Sequence, residues 1–153
     1  MAVYTVSAHR ERLEAAFQRA SQVEDLRVQA DLAQLLCVLV AGFLEQATRH
    51  LLKVFASNRS DPRVTRYVER RLARFRNANP QKLCDLLGDF DPELRTRFEE
   101  FIKGERRDSI QSVVANRHQI AHGEQVELTY HRIRGYFVHV RETVDFLENE
   151  CTS

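Results

Sequence analysis

The chain has 153 residues, 43% of them apolar and 29% charged, with 23 Lys+Arg against 22 Asp+Glu for a net charge of +1. That is one domain in length, large enough to bury a core without disulfide or metal staples, and too apolar and too balanced in charge for a disordered tail. The cations are 20 arginines and only three lysines, Lys53, Lys82 and Lys103, a skew that either codon bias or phosphate recognition through the planar Arg fork produces.

The N-terminal segment MAVYTVSAHRERLE lacks the apolar stretch of a signal peptide, and none is expected. A first helix is predicted from Ser7 to about Glu24, with Leu13, Ala16, Phe17 and Ala20 as its buried stripe. A second, from about Leu26 to Ala56, is apolar nearly all round at its centre and belongs in the middle of a bundle. Its most hydrophobic run, Leu32 to Leu44, is shorter than the ~18–20 residues that cross a bilayer, so no membrane partner is expected. Asp61-Pro62, Asn79-Pro80 and Asp91-Pro92 mark three more helix starts, each pairing an N-cap side chain with a proline whose missing N–H is harmless in a first turn.

The third helix, Pro62 to about Arg76, sets Val64, Val68, Leu72 and Phe75 on one face and Arg63, Arg66, Arg70 and Arg74 on the other. A short fourth, Gln81 to Leu87, is predicted to stop at Gly88, and a fifth to run from Pro92 to near Gly123 with a bend at Gly104. The last, from about Thr129 to Glu148, turns Ile133, Phe137, Val140, Val144 and Leu147 inward. The expected fold is all-α, a single domain over residues 1–153 built as a bundle of five to six helices. Cys37, Cys84 and Cys151 are odd in number and form no CxxC pair, which argues against a disulfide framework or zinc knuckle and fits a reducing, cytoplasmic setting. Cys37 and Cys84 read as small core residues.

The fifth helix closes on Asn116-Arg117-His118-Gln119-Ile120-Ala121-His122-Gly123. His118 and His122, at i and i+4, share a face in the arrangement of an HxxxH metal chelate, but no third ligand or HExxH glutamate accompanies them, and no metal or other cofactor is expected. A second reading makes Arg117 a solvated residue and His122 a helix-terminal residue, favourable when charged beside the negative end of the dipole.

The third reading comes from resemblance. Arg117 to His122 fits the R-x4-H pattern of the HEPN superfamily, helical bundles that are often metal-independent endoribonucleases. The motif closes a late helix, is followed by Gly123 and a final amphipathic helix, and comes after a long helix containing Gly42-Phe43-Leu44-Glu45. With Asn77-Ala78-Asn79-Pro80-Gln81-Lys82-Leu83 through Phe90, this layout resembles the RiboL-PSP-HEPN group over nearly the whole chain.

The resemblance implies an endoribonuclease that uses the 2′-OH of RNA to attack the adjacent phosphate, leaving a 2′,3′-cyclic phosphate and a 5′-OH. Such chemistry needs proton transfer, which suits His122, and a clamp on the anionic phosphorane, which suits Arg117. On a straight helix positions five apart differ by about 140°, so Arg117 and His122 do not share a face and the site must be a crevice or joint. One His does not easily serve both sides of an in-line displacement, which points to a homodimer with two copies of the motif in one cleft, as in HEPN nucleases. The resemblance also implies a toxin or phage-defence effector with a possible antitoxin or other neutralising protein. The runner-up is a non-catalytic HEPN nucleotide-binding or protein-interaction module; a metal-dependent hydrolase, betrayed by sensitivity to EDTA, stands third.

His118, Asn116 and Gln119 are candidate supporting residues. Glu45 either reaches the surface or pairs with a cation such as Arg117, and the resemblance gives it the role of supporting that arginine. Tyr67, Tyr130 and Tyr136 are candidates for base stacking or packing. From Arg59 to Arg76 seven arginines face Asp61 and Glu69, a local +5, so Arg63, Arg66, Arg70 and Arg74 are read as a surface for RNA, an acidic partner or solvent.

Overall fold

The computed structural model describes residues 3–153, leaving the first two positions of the N-terminal segment outside it. Among the described residues the chain forms seven helices and no strand: α1 (Val6–Ser21), α2 (Leu26–Ser57), α3 (Pro62–Leu72), α4 (Pro80–Phe90), α5 (Pro92–Ile102), α6 (Glu105–Ala121) and α7 (Tyr130–Thr152). The all-α expectation holds, with one or two helices more than expected.

The bundle is organised by α2, which packs against α7, α6, α1 and α3. Asp25 starts it by accepting from the Arg27 and Val28 amides. By length and composition it would pass for a membrane-crossing helix, but Cys37, Val40, Phe43, Leu44 and Ala47 are fully buried in the core. The five inward positions read for α7, Ile133, Phe137, Val140, Val144 and Leu147, are all buried, and Phe137 stacks on Phe17 of α1 at 4.7 Å. The three cysteines are buried free thiols; burial pushes Cys37 up to about 11 and Cys151 up to about 12, so neither supplies a thiolate near neutral pH.

The three Asx-Pro starts hold: Asp61, Asn79 and Asp91 accept from the amides of Arg63, Lys82 and Glu93. Besides α1, which ends at Ser21 rather than near Glu24, and α7, which continues to Thr152, three boundaries differ from expectation. Gly88 does not end α4, which continues to Phe90; the missing side chain lets Arg95 of α5 approach, since a Cβ there would lie 3.0 Å from its Cδ. Gly104 breaks the fifth element into two helices rather than bending it, because its backbone (φ 97°, ψ −130°) is one that side-chain-bearing residues avoid. The third helix stops at Leu72, where tight turns follow from Arg74 N–H to Arg71 O and from Phe75 N–H to Leu72 O. Its apolar face is also only partly covered, with Leu72 buried but Val64 half exposed.

Candidate active site

Along α6 the buried positions Ile110, Val113 and Val114 recur at helical spacing, and Arg117 falls three and four residues beyond the last two, on the same inward side. Its guanidinium is half-buried, and Nη1 donates to Asn77 Oδ1 at 2.9 Å. Asn77 sits between α3 and α4 in the left-handed conformation (φ 58°), the one non-glycine residue among those described to do so. Its backbone N–H donates to Glu45 Oε2 at 3.0 Å, while Glu45 Oε1 accepts from Arg49 Nη1 at 3.3 Å. Arg49 Nη1 also donates to the Phe75 carbonyl at 2.9 Å, tying the α3–α4 connection to α2.

Glu45 is thus buried and paired, but its cation is Arg49, one turn further along α2, and not Arg117. Its connection to Arg117 runs through Asn77. This relay has a simple physical logic: a carboxylate that is 7% exposed needs donors, and one of them is an amide whose own side chain accepts from the arginine.

His122 lies on the other side of α6. The helix remains regular to Ala121, and His122 caps it in a Schellman turn: the Gly123 amide reaches Ile120 O and the Glu124 amide reaches Gln119 O, with Gly123 at φ 74°. The imidazole of His122 is exposed, and its neighbour is His118, with ring centroids 4.4 Å apart. Within one chain, then, Arg117 points inward to Asn77 while His122 points outward beside His118. No group of three or more possible metal ligands occurs among the described residues.

His118 and Gln119, both exposed, line a depression of about 360 Å³ together with Asn77, Asn79 and Gln111. Asn116 is half-buried and is not part of that lining. On α3, Arg63 is held to Asp61 at 3.1 Å with its side chain almost fully in solvent, and Arg66 and Arg70 are exposed; Arg74, expected on the same helix face, falls in the turn beyond Leu72 and lies on a cleft between α3 and α4. The residues that sequence reasoning did not assign to the site are Asn77 and Arg49. The signals for Asn77 are its place in the segment that carries the resemblance and its type, since Asn tolerates the left-handed region better than most residues.

An all-α bundle carrying an inward Arg and a terminal His on one late helix has the architecture and the motif of a HEPN domain. The family model described as RiboL-PSP-HEPN matches residues 7–153, and the chain belongs to that family. HEPN domains are often ribonucleases, and the family also includes non-catalytic members. Neither the curated proteins nor the solved structures gave a match.

Proposed function

We propose that this chain is a metal-independent endoribonuclease acting as a homodimer, with Arg117 and His122 of two copies lining one cleft. A neutral His122 takes the 2′-OH proton as the 2′-oxygen attacks the adjacent phosphorus. The 5′-oxygen leaves with a proton from the cationic His122 of the second copy, giving a 2′,3′-cyclic phosphate and a 5′-OH. Arg117 holds the phosphorane anion.

The observation that carries this reading is the anchoring of Arg117. One donor nitrogen is fixed on Asn77, which Glu45 fixes in turn, and the rest of the guanidinium fork remains for phosphate. The exposed His118–His122 pair stands at the end of the same helix, within reach of a substrate shared between copies. By resemblance, the biological role is that of a cytoplasmic toxin or defence effector held in check by a neutralising protein. A second reading, a non-catalytic binding module, is favoured by the divergence of Arg117 and His122 within one chain.

Incubating the purified protein and a His122→Ala variant with mixed-sequence RNA in excess EDTA separates the two. The nuclease reading expects ends bearing 2′,3′-cyclic phosphate and 5′-OH, with cleavage slowed about 100-fold or more in the variant. RNA left intact with and without EDTA assigns the chain to the second reading; equal cutting by the variant overturns the assignment of His122; cutting that EDTA abolishes makes the chain a metal-dependent hydrolase.

A further inference from the structure

Between α3 and α4 lies a cleft of about 730 Å³ that ends one residue short of Asn77. Its floor is apolar: Leu72 is buried, and Phe75, Leu86 and Phe90 are half-buried against the core. At its side stands Tyr67, a large aromatic residue that is 64% exposed. Around it are Arg71, Arg74, Arg76 and Lys82, all exposed, against the single acid Asp89, a surplus of three positive charges.

Eight of the twenty arginines are tied to carboxylates, and those of the cleft are among the rest. Arg10 pairs with Asp145 at 2.6 Å, Arg97 with Glu150 at 2.7 Å and Arg106 with Glu142 at 2.7 Å, each across two helices. Among the described residues, none of the four cleft cations has a carboxylate within ion-pair distance. Two are instead held by the backbone. Arg76 Nη1 donates to the Ala73 and Phe75 carbonyls at 2.8 Å, and Lys82 Nζ donates to the Arg76 carbonyl at 2.7 Å. Each keeps further donors for an anion.

An apolar floor, an exposed phenol ring and cations without a carboxylate partner, two of them held by the backbone, match the two halves of a nucleotide, an aromatic base and a phosphate. We infer that the α3–α4 cleft is a subsite for one nucleotide of single-stranded RNA, its base against Tyr67 and Phe75 and its flanking phosphates on Arg71, Arg74, Arg76 and Lys82. This rests on the ribonuclease reading for its purpose: the cleft adjoins Asn77 and hence Arg117, so the nucleotide it holds neighbours the scissile phosphate. It also divides the arginines from Arg63 to Arg76 into two groups, with Arg71, Arg74 and Arg76 on the cleft and Arg63, Arg66 and Arg70 outside it.

The test measures anisotropy of a fluorescent eight-nucleotide RNA on the His122→Ala protein in EDTA, so that binding is read without cleavage. Against that background Tyr67→Ala weakens binding about 10-fold, and Tyr67→Phe, which keeps the ring, does not. Arg71→Ala with Arg74→Ala weakens it by a similar factor or more and flattens the log–log salt slope by about 1.4, at ~0.7 per phosphate contact. Arg63→Ala with Arg66→Ala leaves the affinity nearly unchanged. Wild-type-like binding by the Tyr67→Ala and Arg71/Arg74 variants, or an equal loss from the Arg63/Arg66 pair, overturns the subsite. Two competitors complete the test: the subsite fails if a poly-glutamate displaces the RNA as readily as unlabelled RNA does, or if free nucleoside monophosphate binds more tightly than the oligomer. Because no cleavage is read, the subsite stands or falls separately from the ribonuclease reading.

Discussion

Asn77 joins two functions that substitution can separate. Its left-handed backbone presents the N–H to Glu45, and its side-chain oxygen holds Arg117. Asn77→Gly keeps the backbone at no steric cost and removes only the acceptor. The expected result is a melting temperature within a few degrees of wild type, kcat for RNA cleavage lowered about 10-fold and KM little changed, because the arginine is still present but no longer aimed. Asn77→Asp, which keeps an acceptor and tolerates the same backbone, restores cleavage; a glycine variant as active as wild type would remove Asn77 from the site. Arg117→Lys asks a related question, whether charge alone suffices. A single ammonium lacks the planar fork needed to hold Asn77 and grip a phosphate bidentately, so cleavage stays close to that of Arg117→Ala. At this scale the motif residues were legible because Arg and His at that spacing form a local pattern. The anchor was not, since Asn77 and Arg117 are 40 positions apart and meet only through the packing of α6 on α2. The same limit hid the cation of Glu45: a buried carboxylate demands a partner, but Arg49 and Arg117 both satisfied that demand until the helices were placed.

Glycine shows how far an element can be read before its neighbours are known. Gly88 reads as a helix end and Gly104 as a bend, yet α4 passes through the first and the second breaks the helix. The difference lies in context: Gly88 makes room for Arg95, whereas Gly104 takes a backbone that excludes side chains. Helix starts were more legible, because an Asx-Pro pair carries its capping chemistry within two residues, and so was α7, whose stripe is buried against several neighbours. The stripe of α3 was less legible; periodicity gives the face but not how much of it is covered. Two glycines with open space around them turn this into a prediction. Gly123 stands at φ +74° and Gly135 lies within α7, and a Cβ added to either meets nothing within 4 Å. Sterics are therefore equal and only the backbone differs. Gly135→Ala raises stability by about 0.5–1 kcal/mol, while Gly123→Ala lowers it by about 1–2 kcal/mol. Thermal unfolding checks both signs, at about 2–4 °C per kcal/mol for a domain of this size. Gly123→Ala also disturbs the turn that presents His122, so its cleavage rate falls where that of Gly135→Ala does not.

At the scale of the whole molecule, α2 leaves an apolar surface uncovered. Leu35, Val38 and Leu39 are 52%, 36% and 39% exposed on the helix that organises the core, with exposed Gly42 one turn further on. These positions follow helical spacing and form a ridge. Val38 and Glu45 lie seven residues apart, about two turns, on one side of α2, so the ridge leads toward the carboxylate that holds Asn77. The proposed cleft needs a second copy of the motif to supply the acid that faces the base, and a ridge on a two-fold axis packs against its own image without requiring a different partner. Val38→Glu with Leu39→Glu sets four carboxylates against one another across such an axis. Because both side chains are partly solvated in the single chain, the folded monomer survives, with helicity by circular dichroism close to that of wild type. The double variant is expected to be monomeric at micromolar concentration by light scattering and to have lost cleavage of RNA in EDTA. A variant that stays dimeric shows that the ridge is not the interface. A wild-type protein that is monomeric and fully active removes the need for two copies, and Arg117 and His122 would then have to meet through a movement of the α6 C-terminus within one chain.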